Sequence, residues 1–380
     1  MQTNGSLMVA SPRVLCLGEA LVDRLGPPGG DPATASPDQI DDRLGGAPAN
    51  AACALARLGT TAAFVGRLGT DPIGRAFAGL FERRGVNTAA LQWDRRRPSR
   101  VVLVHRDRQG ERRFGGFAGD RGEGFADEAL EAAPLAGALT GAGGLLGPAS
   151  WLLVGTIPLA RPAAAEALRR AVSLAAAAGV AIAVDVNWRP TFWDGAAAPD
   201  APPNEAQQKQ ILDLLGQAAL VKCAAEEARW LFGSASPEAV RQALPRHPAV
   251  VVTDGASPLR WSFGASAGEL YAFPVTVADT TGAGDAFTAG VLHGLCARPE
   301  LLRGEHLDGV VELMRFASAC GALVCQAPGA IDPQPTAAAV AAFLAGAVSA
   351  APTPGPAGPP PDRPPGAAPA PPARPPQAGR

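Results

Sequence analysis

From Trp151 onward the sequence switches regularly between short apolar runs and longer amphipathic ones, and this alternation narrows the possible folds more than any other feature. Trp151–Val154, Ala181–Val184, Leu220–Val221 and Ala249–Thr253 read as strands. Pro162–Ala178, Glu205–Gln217, Ala225–Phe232 and Pro237–Leu244 read as the helices among them. Such repetition makes a mainly parallel sheet covered by helices on both faces. Ligands of these sheets bind outside the carboxyl ends of the strands. Gly18, Gly155, Asp185, Lys222 and Thr253 all fall at or just beyond such ends.

The amino-terminal half is less regular. Val14–Leu17 and Ala62–Leu68 are expected to be strands. Ala51–Leu58 and Ile73–Arg84 are expected to be helices, with Gly59 and Gly85 placed to end them. Residues 26–44 read as a loop, with a short strand within it as the alternative, and Arg100–Arg106 with Arg112–Phe117 as a hairpin turning at Gln109-Gly110. Leu130–Ala138 reads as a helix, whereas the glycine-rich residues 142–150 specify no element. Towards the end come an antiparallel edge pair, Leu259–Phe263 with Glu269–Phe273, and a strand over Ala272–Val277. Ala286–Leu295, Leu307–Cys320 and Thr336–Ala345 are the last helices. Residues 1–11 read as a disordered leader and residues 346–380 as a disordered tail, because a Pro, Ala and Gly tract buries too little apolar surface to offset ordering.

Composition removes several classes of function. A hydrophobic fraction of 47% and a charged fraction of 18% suit a soluble globular chain with a large core. A formal net charge of −2 argues against nucleic acid or an anionic membrane as partner. The six cysteines are scattered without a C-x-x-C pair, which fits a reduced, cytoplasmic setting and neither a disulfide framework nor a zinc site. No secretory signal or membrane span is legible. The sequence lacks G-x-x-x-x-G-K-[ST], so it is not a P-loop enzyme. Gly264–Gly268 satisfies G-x-S-x-G but joins two edge strands, so it reads as a hairpin loop and not as a nucleophile elbow.

The chemistry concentrates in Asp279-Thr-Thr-Gly-Ala-Gly-Asp285. A glycine turn entering a helix offers unpaired backbone N–H groups to an anion. A carboxylate beside those donors can take a proton from an attacking hydroxyl while they hold the developing charge. That arrangement serves phosphoryl transfer to an alcohol, with Asp285 as base. Three further sets accompany it. Asp23 with Gly45, Gly46 and Asn50 can hold a polyol, though a plain turn and helix start would look the same. Asp185-Val-Asn187-Trp-Arg189 follows a buried strand; Arg189 either anchors an anion or pairs with Asp185. Lys222 with Glu226 and Glu227 either serves a phosphate and its Mg²⁺ or simply opens a helix.

In this order, Gly45-Gly-Ala-Pro-Ala-Asn50, Asp185-x-Asn187-x-Arg189 and Asp279–Asp285 resemble the ribokinase-like (PfkB) carbohydrate kinases over about residues 12–345. The resemblance implies a three-layer α/β/α sandwich with a small β-lid from about residues 24–44 and 100–117. It implies that Asp23, Gly45, Gly46, Asn50 and Arg189 bind the sugar. Gly282, Ala283 and Gly284 would form the anion hole, and Asp285 would be the base. Lys222, Thr253, Gly255 and Ser318 would serve ATP, and Glu227 would reach Mg²⁺ through water. Asp279 and Thr281, with the loop at Gly329, resemble the monovalent-cation site of many members, which makes K⁺ a further candidate. Lids of this family often mediate dimers, so a homodimer through the lid is a candidate assembly. Gly18–Asp23 and Asp185–Trp193 look most like fructokinases. The departures are Ala224, where Asn or Ser is frequent before the Mg²⁺-associated Glu, and Phe117-Ala118, where Tyr-Arg is frequent after the lid strand. The expectation is an ATP-dependent fructokinase. The alternatives are a kinase for 2-keto-3-deoxygluconate, ribose or adenosine, or a weakly catalytic relative that binds sugar or nucleotide.

Overall fold

A computed structural model describes residues 11–107 and 112–349. Residues 1–10 of the expected leader, the turn at Gln109-Gly110 and residues 350–380 of the expected tail lie outside the described residues. The strands are β1 (Val14–Leu17), β2 (Leu21–Leu25), β3 (Asp41–Gly45), β4 (Ala62–Gly69), β5 (Leu91–Asp94), β6 (Arg100–Arg106), β7 (Arg112–Ala118), β8 (Trp151–Val154), β9 (Ala181–Asp185), β10 (Leu220–Ala224), β11 (Ala249–Asp254), β12 (Ser257–Phe263) and β13 (Ser266–Leu270). The helices are α1 (Ala47–Leu58), α2 (Pro72–Arg84), α3 (Ala132–Thr140), α4 (Pro162–Ala177), α5 (Pro190–Trp193), α6 (Glu205–Leu215), α7 (Ala225–Phe232), α8 (Pro237–Ala243), α9 (Ala283–Ala297), α10 (Leu307–Val324) and α11 (Ala337–Ser349).

A nine-stranded sheet runs β13-β12-β11-β10-β9-β8-β1-β4-β5, parallel from β11 to β5 and antiparallel at the β12 and β13 edge. Side chains alternate across a strand, and here each face is covered. Val14 and Cys16 of β1 enter one core with α1, α2, α9, α10 and α11. Leu15 and Leu17 enter the other with α3, α4, α6, α7 and α8. The result is the three-layer α/β/α sandwich. The second sheet, β3-β2-β6-β7, is the small lid. It begins three residues after β1, because Gly18, Glu19 and Ala20 turn the chain from one sheet into the other. A small apolar cluster of Leu21, Val102, Ile157 and Phe192 seats it, with Phe117 packed alongside.

Several expectations are corrected. Residues 272–277 form no strand. Pro274 cannot donate to a ladder, and by residues 278 and 279 the chain has turned to α10, where both N–H groups bond the Cys325 carbonyl. α9 begins at Ala283, not Ala286, and α1 at Ala47, not Ala51. In both cases a positive-φ glycine stands at the N-cap, Gly282 at +79° and Gly46 at +99°. Leu21–Leu25 and Leu91–Asp94 are strands, and Pro190–Trp193 is a short helix, although no element was expected there. α3 lies two residues later than expected at each end, at Ala132–Thr140. Cys325 caps α10 in helical conformation. Of the Gly264–Gly268 segment, read as a hairpin loop, only Gly264-Ala265 forms the β12–β13 turn; Ser266–Gly268 belong to β13.

Candidate active site

The parallel strands deliver their carboxyl ends to one edge, and the lid stands over it. Asp285 sits in the first turn of α9. The first helical bond closes from Ala286 N–H to the Gly282 carbonyl at 2.9 Å, so the N–H groups of Gly284 and Asp285 precede the ladder and remain available to an anion. Only glycine suits position 282. Its φ is positive, and an added Cβ would come within 2.6 Å of the Ala330 Cβ. The Lys222 ammonium lies against the same turn, 3.2 Å from where a Cβ at Gly284 would stand.

Lys222 Nζ donates to Asp185 Oδ1 at 3.1 Å. The Thr288 hydroxyl donates to Asp185 Oδ2 at 2.9 Å. Thus Lys222, and not Arg189, is the partner of Asp185. Arg189 is exposed and donates to the Trp188 carbonyl at 2.9 Å. Asn50, on α1, donates its amide to Asp285 Oδ2 at 2.7 Å, while its own Oδ1 is buried without a partner. An unsatisfied buried acceptor is costly, and a ligand hydroxyl would satisfy it. Burial pushes the Asp285 carboxyl up to about 6; the Asn50 hydrogen bond, Lys222 and Arg189 oppose that rise, and the charge of Asp185 adds to it. A carboxylate tuned to this range is ionised at neutral pH and remains a competent base.

Asp285, Asp185, Asn187, Thr288 and Glu19 border one cleft with about 320 Å³ of empty space. Asp23 lies on β2 opposite Arg43 of β3, and an added Cβ at Gly45 would be 3.2 Å from its Oδ2. Gly46 permits a close pass, since a Cβ there would lie 2.7 Å from the Glu19 carbonyl. Where nucleotide was expected, Thr253 is the penultimate residue of β11, and Gly255 makes the turn to β12 at φ +57°. Ser318 Oγ, on α10, is buried without a partner. Glu227 is buried and accepts from the Trp188 N–H at 2.6 Å and the Ala224 N–H at 2.7 Å, so it also ties β10 to the loop after β9.

Sequence reading missed Glu19, Arg43, Arg100, Thr288 and Gln334. Gln334 donates to the carbonyls of Asn50 and Ala330 at 2.9 and 3.0 Å, joining the loop after α10 to α1. Arg100 is buried at the lid root, where it pairs with Asp127 and Glu128 at 2.9 and 2.8 Å. Glu19 had a signal, a lone acid between two apolar runs; the other four had none in their neighbourhoods.

The donor chemistry separates the two expected ions. Asp185 is engaged by Lys222 and Thr288, whereas each Glu227 oxygen accepts one backbone N–H and keeps capacity for a water of Mg²⁺. Among the described residues no three such side chains converge into a metal cage, so an ion held through water and phosphate oxygens is the form these residues fit. Asp279 differs. Its Oδ1 accepts the Thr281 N–H and hydroxyl at 3.0 and 2.7 Å. Its Oδ2 accepts the Gly329 N–H at 2.8 Å and Arg43 Nη1 at 3.3 Å. A carboxylate that already faces a guanidinium does not suit K⁺.

The pfkB family carbohydrate kinase profile matches residues 11–337. Probable fructokinase-6, chloroplastic, from Arabidopsis thaliana is 32% identical over 342 residues, which are 89% of this chain and 84% of the relative. Xylella fastidiosa fructokinase with bound ATP superposes with a TM-score of 0.74 at 28% identity, covering 88% and 98% of the two chains. Vibrio cholerae fructokinase bound to fructose, ADP and calcium ion gives a TM-score of 0.72 at 30% identity, covering 88% and 99%. A double mutant of the latter, bound to fructose, ADP and potassium ion, gives 0.72, 30%, 88% and 98%. The glycine turn with its carboxylate, the facing amide and the lidded three-layer sandwich therefore occur together in a chain that belongs to the pfkB family of carbohydrate kinases.

Proposed function

We propose that this enzyme is an ATP-dependent fructokinase that phosphorylates the 6-hydroxyl of fructose. The observation that carries the chemistry is Asp285, a carboxylate raised to about 6 and fixed by Asn50 beside unpaired helix N–H groups and Lys222. Asp285 takes the proton of the sugar hydroxyl as the new O–P bond forms. The bond from the γ-phosphorus to the β–γ bridging oxygen breaks, and ADP leaves. The N–H groups of Gly284 and Asp285, with the Lys222 ammonium, hold the transferring phosphoryl oxygens. Asp23, Gly45, Gly46 and the free Asn50 Oδ1 take sugar hydroxyls, with Arg189 at the rim. Thr253, Gly255 and Ser318 line the nucleotide side. When bound, Mg²⁺ neutralises phosphate charge, and Glu227 is placed to orient its waters. The lid closes over the sugar and keeps water from the γ-phosphate. Fructose as substrate is supported by the names of the relatives, from plant and bacteria alike.

Six free thiols support a cytoplasmic enzyme, and among the described residues no helix is long and apolar enough to cross a membrane. A homodimer through the lid remains our proposal for its assembly. Coupled ADP release across a panel of sugars tests the function. Turnover with fructose far above ribose, adenosine and 2-keto-3-deoxygluconate is the expected result. Binding of sugar by calorimetry with no turnover would overturn it.

A further inference from the structure

Arg43 has no part in the chemistry above, yet it joins the lid to the glycine turn. It lies on β3, opposite Asp23. Its Nε and Nη2 donate to Asp41 Oδ2 at 2.9 and 2.5 Å, and its Nη1 reaches Asp279 Oδ2 at 3.3 Å. Its stem passes Gly329; a Cβ built there would lie 3.9 Å from the Arg43 Cδ. The side chain thus runs from the lid onto the loop that supplies the Gly329 N–H to Asp279.

Asp279 is the first residue of the glycine-turn motif, and its side chain is only 3% exposed. Buried carboxylates require hydrogen bonds and an opposite charge. Thr281 and Gly329 provide neutral donors. Arg43, from the lid, pairs a cation with Asp279. A guanidinium cannot lose its charge at working pH, so the pairing is permanent wherever the lid stands in this position.

We propose that Arg43 takes the place of a monovalent cation at Asp279: the lid itself neutralises this carboxylate, and turnover needs no K⁺. Arg43 is a positioning residue. It acts on the phosphate-binding turn through Asp279 and touches no reacting atom. A chain built in this way also links lid position to the turn directly, because the group that sets Asp279 moves with β3.

Two measurements on the full chain test this. First, thermal midpoints without substrates are compared in KCl and in choline chloride of equal strength. An ion that binds the native state raises the midpoint by mass action. The wild type should melt alike in both salts, while Arg43→Ala should melt higher in KCl. This readout does not depend on which sugar is the substrate, so it stands apart from the fructokinase assignment. Second, kcat of the wild type should change by less than about twofold between the salts, whereas Arg43→Ala should lose about tenfold in choline chloride and recover in KCl, an ordinary size for a coupling. Arg43→Lys keeps the charge and should stay indifferent to K⁺, which covers the case in which Arg43→Ala folds poorly. A purely structural Arg43 would lower midpoint and kcat equally in both salts. That result, or a wild type whose midpoint and kcat both rise with KCl, overturns the proposal.

Discussion

The phosphate side and the lid side of the cleft are built on opposite plans. On the phosphate side the working groups come from one stretch, Gly282–Asp285, and much of the work falls to backbone N–H groups placed by a positive-φ glycine and the start of α9. On the lid side nothing is contiguous. β2, β3, β6 and β7 come from four separate stretches between residues 21 and 118, and charged pairs reinforce them: Arg24 of β2 with Asp42 of β3, Arg43 with Asp41 along β3, and Arg100 of β6 with Asp127 and Glu128 beneath the lid. Backbone function tolerates little variation in sequence, since only glycine fits at 282. Side-chain pairing across strands tolerates much more. Catalysis should therefore fail abruptly when the turn is altered, while lid changes should show first in stability and sugar affinity.

The largest expected effect tests the phosphate side. Asp285→Asn keeps the size and an acceptor for the Asn50 amide but cannot take a proton. Its kcat should fall by about 10²–10⁴, the usual worth of a positioned base, with little change in fructose affinity by calorimetry. A near-wild-type kcat would remove Asp285 from the reaction and with it the contrast.

Next in size is the root of the lid. The Arg100 side chain is 3% exposed and lies 4.8, 4.5 and 4.8 Å from the ring centres of Phe117, Phe125 and Phe192. Arg100→Ala leaves Asp127 and Glu128 without this partner and should cost about 3–5 kcal/mol in chemical denaturation, as breaking a buried pair does. KM for fructose should rise more than KM for ATP. An equal rise in both would show that the lid and the phosphate side are not separable. Arg100→Lys, which keeps the charge, should fall between.

These two predictions explain what could be read in advance. The sandwich was legible because covered parallel strands give apolar runs and their helices give amphipathic ones. The turn was legible because its geometry needs particular residues next to one another. Arg43, Arg100 and Gln334 were not, since each has at least one partner 27 to 284 residues away. The expected strand at residues 272–277 failed for a related reason: its apolar residues suit an edge, but the chain leaves the edge to reach Cys325.

Asn50 bridges the two plans, since it comes from the Gly-Gly segment after the lid and donates to Asp285, the proposed base. Its effect should be visible in pH dependence. Asp285 must be ionised to act, so kcat/KM should rise with pH through an apparent value of about 6. The Asn50 hydrogen bond lowers that value. In Asn50→Ala the acid limb should therefore move to higher pH, in addition to a rise in KM for the sugar. A limb that stays in place would mean that the hydrogen bond does not form in the working enzyme.

The smallest effect belongs to Glu19, at the turn between β1 and β2 where the main sheet becomes the lid. Burial pushes its carboxyl up to about 8; the charges of Asp127 at the lid root and Asp285 at the phosphate site add to this, and N–H donors at Glu19 and Ala47 oppose it. The group is thus held neutral in the folded protein at pH values where an unfolded Glu is ionised. A raised folded value means that its contribution is fully present below the unfolded value, near 4.5, and is lost as pH rises through about 8. Glu19→Gln keeps an oxygen for the Ala47 N–H, which Glu19 Oε1 now accepts at 3.1 Å, and cannot ionise. The variant should gain on the wild type steadily as denaturation is repeated from acid to mildly alkaline pH. If the gap stayed constant, Glu19 would be ionised in the native state. If Arg100→Ala also raised the pH at which the gap stops widening, the change would come through Asp127, whose charge Arg100 no longer offsets. The lid root and the base would then share one electrostatic unit at Glu19, despite the opposite plans on which they are built.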